Sequence, residues 1–181
     1  MKLRHFLYIA GLLIISFAIY FNSLPNGFNL DDNAIIKDNP LVTSLKNVPK
    51  IFVSNYWANT PYEKGVLLYR PIPVLTFAID DYLWGGKEYG FHLTNALINA
   101  LNAVLLFYVL LFMFGDALKP RYAALAALLF ALHPVHTEAV NMIVGRTELL
   151  AALFSFLAII FYLRKNIVGA LVLFFCALLS K

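Results

Sequence analysis

Apolar and polar positions fall along this chain in long blocks and do not alternate residue by residue. The first apolar run extends from Phe6 to Tyr20 and on to Leu24, behind Lys2, Arg4 and His5. A basic start ahead of an apolar run also describes a signal peptide. This run is long for one, and Ser23-Leu24-Pro25-Asn26-Gly27 makes a poor small-residue cleavage site, so a retained first helix over 1–24 is expected. The chain then turns polar over 25–90, with turn signals at Pro25-Asn26-Gly27, Asp38-Asn39-Pro40, Pro61, Pro71, Pro73 and Gly85-Gly86. That spacing predicts a large, structured loop. Inside it, Ile72 to Leu83 is apolar but short and closed by Asp80-Asp81, which predicts a packed or interfacial helix and not a crossing.

The remaining helices are expected over 91–181. Phe91 to Phe114 is the clearest span, ending at Gly115-Asp116. Its polar residues His92, Asn95, Asn99 and Asn102 recur at steps of three and four, so they share one helix face that must point into a bundle or cavity. Interhelical hydrogen bonding accounts for such a stripe, and His92, near one end, is its best functional candidate. Tyr122 to Leu132 is apolar, but roughly 11 residues at about 1.5 Å each fall short of a ~30 Å hydrocarbon layer. It is either extended by its neighbours or buried in protein. Leu149 to Leu163 and Ile167 to Leu179 complete the series. The expectation is an all-α integral membrane protein with about five transmembrane helices and one large external loop between the first two.

Composition agrees: 61% of the 181 residues are apolar, 13% are charged, and mean hydropathy is +0.76. A water-soluble domain rarely carries so little charge. The net charge of +4 does not point to nucleic acid, because the basic residues are scattered or border apolar runs. Topology explains them. With the N-terminus cytoplasmic, Lys2 and Arg4, Lys119 and Arg121, and Arg164 and Lys165 all fall in inside segments. The same count puts Asp31-Asp32 and the polar stretch from His133 to Glu148 together on the opposite face. The single cysteine, Cys176, lies in an apolar run and leaves no intramolecular disulfide to form.

Two clusters carry candidate chemistry. Asp31 and Asp32 follow the first helix closely and are held at the external surface, where one carboxylate can take a proton while its neighbour orients a partner or binds a cation. The same pair also suits plain capping of a helix over Asn33 to Lys37. The second cluster is His133-Pro134-Val135-His136-Thr137-Glu138, followed by Gly145-Arg146-Thr147-Glu148. Ionisable residues this dense at a membrane boundary face a cavity or one another. A His-x-x-His spacing without a third ligand does not support zinc, and a divalent metal has no further support in the sequence. Arg146 offers a fork of donors for a phosphate, with Glu138 or Glu148 to orient it, or an ion pair stitching this segment to the bundle. Arg70, ahead of Pro71-Ile72-Pro73, is a similar phosphate candidate.

The strings Phe28-Asn29-Leu30-Asp31-Asp32 with Ala34-Ile35 and Asn39-Pro40, Tyr69-Arg70-Pro71, Gly90-Phe91-His92-Leu93-Thr94-Asn95, and His133-Pro134-Val135-His136-Thr137-Glu138-Ala139-Val140 with Gly145-Arg146 and Leu149-Leu150 occur in this order over nearly the whole chain. Together they closely resemble the transmembrane and tetratricopeptide-repeat (TMTC) protein O-mannosyltransferases and their bacterial relatives. The resemblance implies a GT-C glycosyltransferase that takes a sugar, mannose in that family, from a polyprenyl-phosphate donor to a protein hydroxyl or other acceptor. It places the reaction on the non-cytoplasmic face, which is periplasmic, extracellular or luminal in the endoplasmic reticulum. It implies Asp31 as the general base with Asp32 beside it, Arg146 at the lipid-linked phosphate, and His133, His136 and Glu138 lining the same pocket. Members of that family continue past the Ser-Lys motif with further helices and often tetratricopeptide repeats, so residues 1–181 are expected to be the N-terminal module of a longer chain. A non-catalytic membrane scaffold or assembly partner is the rival reading. A transporter ranks last, since no inverted repeat is evident.

Overall fold

The computed structural model describes residues 2–64 and 67–181, and every regular element among them is helical. The helices are α1 (Lys2–Ala18), α2 (Val48–Ile51), α3 (Pro71–Trp84), α4 (Glu88–Phe114), α5 (Pro120–Leu132), α6 (His136–Asn141), α7 (Arg146–Leu163) and α8 (Ile167–Leu178). Short 3-10 turns at Phe21–Ser23, Leu45–Asn47, Gly115–Ala117 and Ile143–Gly145, and a π-helical turn at Asn33–Lys37, join them. Among the described residues three helical stretches are long and apolar enough to cross a bilayer: Leu3–Ser23, Glu88–Ala117 and Ile143–Leu163. The other two segments expected to cross are shorter. At 13 and 12 residues, α5 and α8 measure about 20 and 18 Å.

The longest helix, α4, is the hub of the bundle: α1, α5 and α7 pack along it, α3 lies across its start, and α8 pairs with α7. Sequence explains how closely they approach. On α5, Ala123, Ala127 and Ala131 form a fully buried stripe at every fourth residue, which lets its backbone come near α1 and α4. α3 behaves as its length predicted. Pro71 and Pro73 occupy its first turn, where their missing N–H groups leave no bond unmade, and Gly85 ends it in the left-handed region at φ 61°.

The segment between α1 and α4 has a core of its own. Ile35, Ile36, Val42, Ile51 and Tyr56 gather on Val74, Phe77 and Ala78 of α3 and on Phe91 and Ile143. Each fully buried Ile or Phe contributes roughly 1.5–3 kcal/mol on leaving water. This layer therefore fixes the loop against the start of α4 and the turn ahead of α7. Both candidate clusters lie at that junction.

Candidate functional site

The first arrangement at the junction is closed. Arg146, the first residue of α7, is completely buried. Its Nη2 pairs with the Asp80 carboxylate of α3 at 2.6 Å and donates to the carbonyl of Phe91 at 2.9 Å. Its Nε donates to Asn95 Oδ1 at 2.7 Å and its Nη1 to Thr76 Oγ1 at 3.3 Å, while the guanidinium lies over the Phe77 ring, 4.8 Å from the centroid. A buried charge persists only when paired and hydrogen-bonded on all sides. Thr94 donates to the other Asp80 oxygen at 2.9 Å. Burial pushes the Asp80 carboxyl above its ordinary range, and the arginine pulls against that. An ion pair stitching Arg146 to the bundle was one of the two sequence readings, and its partner is Asp80.

Asparagine and aspartate extend this network to the next turn. Asn95 donates from Nδ2 to the carbonyls of Met142 and Ile143 at 3.1 and 3.2 Å, tying α4 to the turn before α7. Asn102 does the same to Leu149 at 2.9 Å. Asp32 is buried and accepts from the backbone N–H groups of Val144 at 2.8 Å and Asn29 at 3.1 Å. It makes no side-chain cap on the turn that follows, so the capping role expected of the pair falls to neither Asp32 oxygen. Burial raises the Asp32 carboxyl above its usual range, and the two N–H donors offset part of that. His92 is fully buried near Asp32.

The second arrangement is open. A cavity of about 590 Å³ lies beside the closed network, and its walls include Asp31, Tyr56, Arg70, Asn99, His136 and Glu138. Arg70 Nε is buried there with no hydrogen-bond partner, and its guanidinium lies 5.6 Å from the Tyr56 ring centroid. Asn99 is 1% exposed with both amide atoms unpartnered. His136 stacks at 4.4 Å on Phe130 and has its imidazole pKa lowered, first by burial and then by His133. His133 lies just outside the wall, 6.4 Å from His136 between ring centroids, with Nδ1 accepting from the Val135 N–H at 3.2 Å. Gly145 shapes the rim. A Cβ there would meet the Ala139 carbonyl oxygen at 2.5 Å, so α6 and the turn before α7 pass each other only with glycine at this position.

Asp31 also lines a second cavity, of about 360 Å³, with Asn33, Asp38 and Tyr62. Asp31 thus stands in the walls of both hollows. The residue before it, Leu30, has φ 42°, a conformation that non-glycine residues seldom adopt. Asp31, Arg70, His136 and Glu138 are therefore brought together at the open cavity, while Asp32, His92 and Arg146 are sequestered behind it and His133 stands at its margin. Sequence reasoning missed Asp80, Tyr56 and Asn99. The Asp80-Asp81 pair at the end of the apolar run of α3 was the available signal for Asp80, and the α4 stripe was the signal for Asn99. Among the described residues no three His, Cys, Asp or Glu side chains gather to hold a metal ion.

Three helices of membrane-spanning length and composition, with ionisable groups gathered around a hollow at one end, define an all-helical membrane protein. The chain is a homologue of the TMTC protein O-mannosyl-transferases. It is 37% identical over 151 residues to the protein O-mannosyl-transferase TMTC3 of Mus musculus, a match covering 82% of this chain and 16% of the relative. Human TMTC4 is 36% identical over 174 residues, covering 87% of this chain and 22% of the relative. Drosophila melanogaster Tmtc1 is 35% identical over 159 residues, covering 86% and 18%. The chain thus spans less than a quarter of the length of these relatives. No protein-family model matches it. No solved structure matches it.

Proposed function

We propose that this chain is the N-terminal, GT-C-like module of a membrane glycosyltransferase that moves a sugar from a polyprenyl-phosphate donor to a hydroxyl of a protein or glycan acceptor. The names of its relatives support mannose as the sugar and O-glycosylation as the reaction. The observation that carries the reading is the position of Asp31, a residue in the walls of two cavities. The larger cavity would take the donor sugar phosphate and the smaller one the acceptor, leaving the base between them.

In the reaction, Asp31 takes the acceptor's hydroxyl proton as the acceptor oxygen bonds to the anomeric carbon. The bond from that carbon to the phosphate oxygen breaks, and its electron pair leaves with the polyprenyl phosphate. Arg70 would meet that growing charge, because its Nε is buried and unpartnered in the donor cavity. This gives Arg70 the phosphate role that family resemblance suggested for Arg146, which becomes a positioning residue together with Asp32 and His92. Asn99, unpartnered in the same wall, would bond sugar hydroxyls, with His136 and Glu138 beside it and His133 orienting His136.

The orientation belongs to the same proposal. Arg4, Lys119 and Arg121 collect at the ends of α1 and α5 remote from His133, whereas Asp31, Glu138 and Glu148 collect at the other. Basic residues favour the cytoplasmic side. The N-terminus is then cytoplasmic, and the loop and cavity face the periplasm, cell exterior or lumen. α5, packed on α1 and α4, and α8, packed on α7, complete about five crossings as short helices. Replacing Asp31 with Asn in the complete gene product is expected to abolish transfer from a labelled lipid donor while thermal unfolding stays unchanged. Undiminished transfer by the folded variant would overturn the assignment.

A further inference from the structure

At the end of the bundle opposite Asp31, the starts of α1 and α5 enclose a second hollow of about 590 Å³. It is lined by Arg4, His5, Tyr8, Lys119, Pro120 and Arg121. Among the described residues no carboxylate comes within 4 Å of its cations. The ion pairs among the described residues are Arg146 with Asp80 and Lys181 with Glu148, both elsewhere. Arg121 is braced instead by its neighbour, donating from Nη2 to the Tyr122 hydroxyl at 2.9 Å and stacking 4.7 Å from that ring's centroid. His5 stands edge-on to Phe107 at 6.2 Å, with Nε2 buried and unpartnered. Three basic side chains and an open imidazole nitrogen make a pocket for an anion.

The hollow continues into a groove of different character. Tyr8 and Arg121 also line a cleft of about 240 Å³ running along α1 and α5, floored by Gly11, Leu12, Ala124 and Leu128. Gly11 opens it: a Cβ there would meet nothing within 4 Å. Both helices belong to apolar stretches, so the cleft faces the hydrocarbon side of the bundle while the basic pocket sits at its boundary. A cationic chamber leading into an apolar slot along two helices matches a molecule with an anionic head and a hydrocarbon tail.

We propose that this end of the protein binds an anionic glycerophospholipid of the adjoining leaflet. Its phosphate sits among Arg4, His5, Lys119 and Arg121, and one acyl chain lies in the Gly11 cleft. Charge complementarity selects the head, and the continuity of the two hollows through Tyr8 and Arg121 selects a lipid over a free ion. The site depends on insertion of α1 in a bilayer and not on the glycosyl-transfer reading, because it shares no residue with the cavity at Asp31.

The test is native mass spectrometry of the purified protein, offered dioleoyl phosphatidylglycerol, dioleoyl phosphatidylcholine or inorganic phosphate. Phosphatidylglycerol is expected to be retained in preference to phosphatidylcholine, with each basic side chain removed as Arg4→Gln or Lys119→Gln lowering its affinity about fivefold. Both side chains are exposed, so the variants are expected to keep the wild-type unfolding temperature. Gly11→Leu puts a side chain into the cleft, where a Cβ would meet nothing within 4 Å, and is expected to weaken retention of phosphatidylglycerol with every cation still in place. Equal retention of the two lipids, or a preference unchanged by the double Arg4→Gln, Lys119→Gln variant, would overturn the proposal. Displacement of the lipid by inorganic phosphate at equal concentration, with no effect of Gly11→Leu, would also overturn it in favour of a simple anion site.

Discussion

Asp31 and Asp32 are adjacent in sequence and belong to different parts of the molecule. Asp32 turns inward to hold the N–H groups of Val144 and Asn29, in the same layer as the Arg146–Asp80 pair. Asp31 faces the open cavity with Arg70 and Asn99. Two arginines divide in the same way. Arg146 has contacts on all sides, whereas Arg70 leaves a buried nitrogen without a partner. Polar groups whose bonds are completed inside the protein hold its elements together, and those left incomplete beside a hollow await a ligand. The two regions should therefore fail differently when altered.

The largest effect is expected in the closed layer. Arg146→Met strands the Asp80 carboxylate in protein and should cost about 3–5 kcal/mol of stability, read as a lowered unfolding temperature in detergent. The double variant with Asp80→Asn should recover part of that loss; no recovery would show that the pair is not the unit described here. Asp32→Ala comes next, removing the acceptor from two backbone donors at a cost of about 1–3 kcal/mol. A drop in transfer with full stability would instead move Asp32 to the open region. The smallest effect on stability is expected at Arg70→Gln. Its unfolding temperature should match the wild type, while affinity for a polyprenyl-phosphate analogue falls about tenfold, the range of one charge-assisted contact. A destabilised Arg70→Gln with unchanged donor affinity would erase the distinction between the two arginines.

Much of the architecture was legible in the order of apolar blocks. The first helix, α3 as a short non-crossing helix, and the long α4 with its inward polar face all follow from length and period. The α4 stripe divided in a way that period does not reveal. Asn95 makes the tying bonds expected of it, Asn102 makes one and also lines the cavity, and Asn99 opens onto the cavity with neither amide atom partnered. All three share one helix face, and only the neighbouring chain at each level decides the outcome. α5 illustrates a similar limit. Its 13 residues were visibly short, and its buried alanine stripe shows how closely neighbouring helices approach it.

The sequence by itself determined that the protein enters a membrane, because hydrophobic length is a local property that each segment carries without reference to the rest. It also brought Asp31 and the His133 to Glu148 stretch to one end, since helix count and charge placement fix which ends meet. Only the tertiary structure decided which arginine and which aspartate face the cavity. A charge's role depends on whether another helix supplies its partner. Asp80 of α3 does so for Arg146 of α7, and among the described residues no carboxylate pairs with Arg70.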